Sequence, residues 1–227
     1  MEITPVATIR TDFPAKFGLP RQSMLVPSLP GRIVFEKDYR RSEMLRGLEG
    51  FSHIWVIWGF SEHEQGKWSP TVKPPRLGGK VRMGVWGTRS PFRPNQIGLS
   101  CLKIEEIVWE SEDGPMILVS GIDMMDGTPI YDIKPYLPYA DAHPEAKQGF
   151  TSEVTNYELD VIFPDEYLEK LPEEKRQGAL ELLRQDPRPP YHNHPEQVYK
   201  IAYAGWDIHF TVKEKRLQVT GVVEYKK

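Results

Sequence analysis

A mainly β fold is predicted: a β-barrel or sandwich over residues 1–145 and a small α+β unit over residues 146–227. Three observations carry this reading. Short runs rich in β-branched and aromatic residues, bounded by Gly, Pro or Asp-Gly, recur through the first two thirds of the chain. No helical patterns alternate with them, so a doubly wound sheet is not expected. Past Tyr139 the sequence turns small and polar, and an extended helical spacing of leucines appears only beyond that stretch.

In the first unit the strand candidates are Thr4–Arg10, Arg32–Glu36, Phe51–Phe60, Lys80–Trp86, Ile97–Trp109 and Pro115–Ile122. Asp113-Gly114 between the last two is a hairpin signal. Ser42–Leu48 is briefly helical, with Ser42 available as an N-cap. Ala140–Phe150 reads as a linker and Glu153–Phe163 as a further strand. Tyr167, Leu168, Leu171, Ala179, Leu180, Leu182 and Leu183 fall at helical spacing across Asp165–Arg184, interrupted near Pro172, whose ring cannot continue a helix. Trp206–Val212 and Leu217–Tyr225 complete the second unit as paired strands.

Hydrophobic residues at 39% against 27% charged suit a chain with a buried core. The longest apolar run, Ile54–Phe60, is far short of the roughly 20 residues a membrane helix needs, so no membrane partner is expected. MEITPVATIRTDF lacks the basic and apolar segments of a secretory signal, and a cytoplasmic location is expected. Cys101 stands alone, which excludes a disulfide framework. His192 and His194 have no cysteine support, and no metal is expected. The formal charge is only −3, yet it is unevenly spread. Gln65 to Ile104 holds no acidic residue and eight basic ones: Lys67, Lys73, Arg76, Lys80, Arg82, Arg89, Arg93 and Lys103. Such a window can present a positive surface to a polyanion.

The glycine fingerprint for dinucleotides, the phosphate loop, the nucleophile elbow and the zinc-protease motif are all absent. Three polar stretches interrupt the apolar strands instead. Leu19-Pro20-Arg21-Gln22 displays a guanidinium and an amide on a rigid turn. TRSPFRPNQIGLS, Thr88 to Ser100, sets Arg89, Arg93 and Asn95 among prolines and Gly98. DGTPIYDIKPY begins with an Asp126-Gly127 turn and then alternates Asp132, Lys134 and Tyr136 onto one face of an extended segment. Together they offer donors and acceptors suited to a small polar ligand. A β-barrel RNA-binding module without catalysis, and a hydrolase or small-ligand sensor, are the competing readings from the residues alone.

TRSPFRPNQIGLS, DGTPIYDIKPYLPYAD, RGLEGFSHIWV and SPTVKPPRLGGKVRMGV together closely resemble the YaeB-like or TrmO family, and LRQDPRPPY is similar to that family's small C-terminal domain. The resemblance implies a β-barrel, non-Rossmann methyltransferase that uses S-adenosylmethionine to methylate N6-threonylcarbamoyladenosine at position 37 of tRNA, in the anticodon loop. It also implies a homodimer with the cofactor near the subunit interface. Carried over by position, the implied cofactor contacts are Pro20, Arg21, Gln22, Ser61, Glu62, Arg89, Leu99, Asp126, Gly127, Thr128 and Pro129.

Methyl transfer to a nitrogen that also bears a carbamoyl group calls for alignment in a water-poor site and for help with the departing proton. Asp132 and Tyr136 are the expected proton-handling groups. Lys134 and Arg93 are expected to stabilise charge on the carbamoyl oxygen, with Asn95 orienting the group. Lys67, Lys73, Arg76, Lys80 and Arg82 are expected to grip anticodon-loop phosphates.

Overall fold

The computed structural model describes residues 2–62, 66–74, 77, 81–154, 157–188 and 196–226. In chain order the strands are β1 (Ala7–Thr11), β2 (Pro30–Phe35), β3 (His53–Gly59), β4 (Thr71–Val72), β5 (Met83–Gly84), β6 (Ile97–Val108), β7 (Met116–Ser120), β8 (Pro129–Pro135), β9 (Asp160–Ile162), β10 (Tyr199–Tyr203), β11 (Trp206–Lys213) and β12 (Arg216–Glu224). The α-helices are α1 (Pro138–Asp141), α2 (Asp165–Leu168) and α3 (Glu173–Arg184).

Six strands close into a barrel in the order β1-β2-β7-β6-β3-β8. Every pairing in the ring is antiparallel. The period of two puts alternate side chains inside: Ile9, Ile33, Ile54, Val56, Leu102, Ile117, Val119 and Ile130 are all fully or almost fully buried. Of the two readings left open by the strand pattern, barrel or sandwich, the closed barrel is the one adopted. Because the ring is antiparallel, the β1–β2, β3–β6 and β7–β8 connections all emerge at the same rim. These are residues 12–29, 60–96 and 121–128. The β2–β3 and β6–β7 connections lie at the opposite rim, where the Asp113-Gly114 hairpin closes with the Gly114 N–H donating to the Ser111 carbonyl.

A second sheet has the order β10-β11-β12-β9, with β9 parallel to β12 and the rest antiparallel. α3 covers it with Ala179, Leu182 and Leu183. Pro172 stands at the N-terminal boundary of α3, where its missing N–H costs nothing. This sheet and the barrel meet over the β1–β2 connection. Phe13, 1% exposed, packs its ring on Tyr203 at 5.3 Å between centroids. The Ala204 N–H donates to the Asp12 carbonyl, Lys175 pairs with the Asp12 carboxylate, and the Ser28 hydroxyl donates to Glu181.

Several local expectations are revised. Lys80–Trp86, expected as one strand, supplies only β5 followed by a 3-10 turn at Val85–Gly87, because Gly84 and Gly87 interrupt the alternation; its first residue lies outside the described residues. Ser42–Leu45 is a 3-10 turn, shorter than the helical pattern. Of the strand expected over Glu153–Phe163, the described part supplies β9, and residues 155 and 156 lie outside the described residues. β10 was not among the expected strands, since YKIAY is brief and follows a proline-rich stretch.

Phe13→Ala is expected to cost about 3–5 kcal/mol of unfolding free energy, the usual range for emptying a buried aromatic site. Urea denaturation followed by tryptophan fluorescence measures it.

Candidate active site

The three connections at the first rim enclose a pocket of about 750 Å³. Each supplies part of the wall: Lys16, Leu19, Pro20, Arg21 and Gln22 from β1–β2; Phe60, Ser61, Glu62, Trp86, Thr88, Arg89, Arg93 and Asn95 from β3–β6; Asp123, Met124, Met125 and Thr128 from β7–β8. Trp58, Gly98 and Leu99 line it from the adjoining strand ends. The volume lies within the ordinary range for small-molecule sites, and the wall mixes apolar faces with a few convergent charges, as such sites do.

One hydrogen-bonded chain fixes the inner end. The Trp58 indole N–H donates to Ser100 Oγ at 2.9 Å, and the Ser100 hydroxyl donates to Asp123 Oδ1 at 2.7 Å. An indole nitrogen can only donate, so the direction of both bonds is determined. The indole packs against Gly98, where any added Cβ would collide with its ring. The β3–β8 ladder shifts register between Ile57 and Trp58, at the same place. Burial pushes the Asp123 carboxyl up to about 6, while hydrogen bonds from Ser100 and the backbone of Ser23 and of Asp123 itself, and the charge of Arg89, pull it down. The carboxyl is thus charged at neutral pH but more basic than an exposed aspartate.

Of the residues expected to contact a cofactor, Pro20, Arg21, Gln22, Ser61, Glu62, Arg89, Leu99 and Thr128 line this pocket. Arg89 donates to Gln22 Oε1, tying two of the connections together. Arg21 donates to the Asp186 carbonyl at 3.3 Å, which links the pocket rim to the second sheet's helix end. Asp126, Gly127 and Pro129 lie just outside the wall. Gly127 adopts φ +81°, a conformation glycine takes without strain, and its N–H bonds the Ile9 carbonyl. Asp126 Oδ1 accepts from the Thr11 N–H at 3.1 Å, and Arg10 lies 3.6 Å from its other oxygen. The turn therefore seats Thr128 in the wall while Asp126 anchors it to β1.

Arg93 and Asn95 also line the pocket. Arg93 spends donors on the Thr88 and Ser90 carbonyls and lies 5.6 Å from the Trp86 ring centroid, so it braces its own loop. The pocket does not include Asp132, Lys134 or Tyr136, because β8 carries them along the barrel wall away from this rim. Asp132 and Lys134 pair with each other at 2.9 Å, and the Tyr136 ring stacks at a tilt near Trp55, 5.7 Å between centroids.

Described residues of the basic window adjoin the pocket wall at Phe92. β4 and β5 form a small hairpin that docks on the Thr88–Ser100 stretch through Ser69 N–H to the Phe92 carbonyl. Lys67, Lys73 and Arg82 are exposed there, with Arg82 held by the Thr71 side chain and carbonyl. Arg76 and Lys80 lie outside the described residues, as do His192 and His194. Among the described residues no cluster of three metal-ligating side chains occurs, and no helix is long and apolar enough to cross a membrane. The Cys101 thiol is pushed up by burial and by Asp141, which disfavours the nucleophilic thiolate.

Sequence reading alone did not single out Asp123, Trp58 or Trp86. Asp123 carried one usable signal, a carboxylate set between the apolar Ile122 and Met124-Met125. Nothing in the sequence marked Trp58 as more than a strand residue.

Residues 8–142 match the tRNA-methyltransferase O N-terminal domain, and residues 156–225 match the TrmO C-terminal domain. A tRNA (adenine(37)-N6)-methyltransferase of Escherichia coli is 41% identical over 214 residues, covering 92% of this chain and 90% of its own. A Pseudomonas aeruginosa relative whose name includes "S-adenosylmethionine-dependent methyltransferase" is 36% identical over 213 residues, 91% of this chain and 89% of its own. The crystal structure of TrmO from P. aeruginosa superposes with a TM-score of 0.79 at 29% identity, covering 99% of this chain and 97% of that one.

Ser100→Ala removes a bond that favours the charged form of Asp123 and so moves that carboxyl further up. An acid whose folded pKa exceeds its unfolded one costs stability as pH rises through the interval, and the cost is complete above the folded value. The variant is expected to lose about 1–3 kcal/mol at pH 8 and less at pH 5, by urea denaturation at both.

Proposed function

The chain belongs to the TrmO family of tRNA methyltransferases, and from that premise we propose that it methylates N6 of adenosine 37 in tRNA with S-adenosylmethionine as methyl donor. We propose further that the adenosine it takes already carries the N6-threonylcarbamoyl group. The observation that carries this reading is that Leu19–Gln22, Thr88–Ser100 and Thr128 of the Asp126–Pro129 turn, remote in sequence, converge on one rim around a roomy pocket.

The residues present fit the methyl donor. Arg21 and Arg89 can hold a carboxylate, with Gln22 orienting Arg89. Leu99 and Trp58 offer apolar faces to a purine, and Thr128 adds a hydroxyl from the inner wall. Ser61 and Glu62 close the rim, while Asp126, Gly127 and Pro129 shape the turn that presents Thr128. When bound, S-adenosylmethionine supplies an electrophilic methyl group on a sulfonium. The chain's part is to hold the target base in line, exclude water and accept the proton. Asn95, exposed at the mouth, is placed to orient the carbamoyl group, and Arg93 keeps that loop in shape. Asp132, Lys134 and Tyr136, on the β8 wall, lie outside the lining of this pocket, and no step of the proposed reaction is assigned to them.

Lys67, Lys73 and Arg82, with Arg76 and Lys80 of the same window, are the proposed grip on anticodon-loop phosphates. An unpaired loop is the form of RNA whose bases can enter such a pocket. We also propose a homodimer, which gives the exposed apolar side chains at the mouth a cover; Trp86 is 74% exposed and Leu99 50%. A cytoplasmic location accords with a tRNA substrate.

Nucleoside mass spectrometry of tRNA incubated with the protein and isotopically labelled donor is expected to show one added methyl on the threonylcarbamoyl adenosine. tRNA lacking that prior modification is expected to stay unlabelled. Arg89→Ala is expected to weaken donor binding about 10- to 100-fold, the worth of a charged hydrogen bond, by calorimetry.

A further inference from the structure

Two carboxylates line the pocket, and they differ in kind. Glu62 is exposed at the rim. Asp123 sits at the inner end, where the Trp58–Ser100 chain locks one of its oxygens. A buried carboxylate kept for structure alone is ordinarily paired with a cation, since unpaired charge in a poorly hydrated place is costly. Among the described residues Asp123 has no ion pair within 4 Å. Arg89 acts on it through space but gives its hydrogen bond to Gln22. An ionised carboxylate offers about four lone-pair sites. The Ser100 hydroxyl and the backbone groups of Ser23 and Asp123 occupy some of these sites, and Asp123 lines the pocket wall. The fold thus sets a held acceptor in the wall of the cavity.

We propose that Asp123 is the proton acceptor for the nitrogen that is methylated. The proposal rests on the function given above. As the N–C bond forms to the donor's methyl group, the sulfur keeps the electron pair of the broken S–C bond. The target N–H bond breaks, its pair stays on nitrogen, and the proton goes to the carboxylate of Asp123. Ser100 is a positioning residue, because it holds Oδ1 of Asp123 and acts through that carboxylate, and Trp58 holds Ser100 in turn with its indole N–H. A carboxyl brought up to about 6 is ionised at neutral pH yet basic enough to take a proton in the transition state. The charged groups that share the pocket are the basic side chains of Lys16, Arg21, Arg89 and Arg93 and a second carboxylate, Glu62.

Asp123→Asn keeps the shape and an oxygen to accept from Ser100. Single-turnover methylation of tRNA at saturating donor, measured from pH 5 to 9, is expected to fall at least about 100-fold and to lose the rise with pH that the wild type shows. Donor affinity by calorimetry is expected to stay within about threefold, a change too small for a lost charge contact. In the donor-free wild-type protein, the carbon-13 carboxyl signal of Asp123 is expected to titrate at the midpoint of the wild-type rate profile; Glu62→Gln leaves both midpoints in place. Should Asp123→Asn fail to fold, Ser100→Ala substitutes for it, with rate midpoint and carboxyl titration expected to move up together. An active wild type whose Asp123→Asn variant keeps its rate overturns the proposal alone, and so does a variant whose only defect is donor binding weakened tenfold or more, which makes Asp123 a donor anchor. Wild-type protein that leaves tRNA unmethylated overturns the function and this proposal with it.

Discussion

Ring closure is the constraint on which the rest depends. β8 is paired on both sides, to β1 through Ala7 and Thr8 and to β3 from Ile54 to Trp58, and this double pairing leaves the barrel without an exposed edge. An antiparallel ring has only two rims, and strand direction decides which connections share one. Three connections that are far apart in the chain are thereby forced together over the mouth of a dry core. The pocket is what remains between them once the barrel interior is filled by Ile, Val and Leu.

Polar chemistry is introduced into that apolar setting at few points. Ser100 is a hydroxyl in a strand whose inward neighbour Leu102 is fully buried, and its place is tolerable because Trp58 and Asp123 satisfy it from both sides. Gly98 is the geometric condition for that arrangement, since the indole can reach Ser100 only by lying where a side chain would otherwise stand. Local rigidity is supplied in the same manner outside the core, by Arg93 on its own loop carbonyls and by Asp126 on β1.

Much of this was legible in the residues. The alternation in Phe51–Phe60, Ile97–Trp109 and Pro115–Ile122 marked strands that the structure contains, and the Pro172 interruption separates α2 from α3 as the spacing suggested. The polar stretches that stood out against apolar runs do gather at one rim. Register escaped the sequence. Alternation in DGTPIYDIKPY put Asp132, Lys134 and Tyr136 on a common face but could not say that β8 leaves the rim as it passes through them. Asp123 escaped for a related reason: one acidic residue among apolar ones looks like an accident until the partner 23 residues earlier is seen to hold it. β10 escaped because its hydrogen bonds come from β11, not from any periodicity of its own.

The connection from Asp12 to Leu29 has two tenants. One side of it forms the wall around Leu19 and Gln22, and the other receives Tyr203, Lys175 and Ile201 from the second unit. Removal of the C-terminal unit would strip Phe13 and Leu29 of their cover and leave the pocket wall resting on a loop with nothing behind it. The tail is therefore a buttress, and shortening the chain to its barrel trades away the stiffness of the cavity along with the mass.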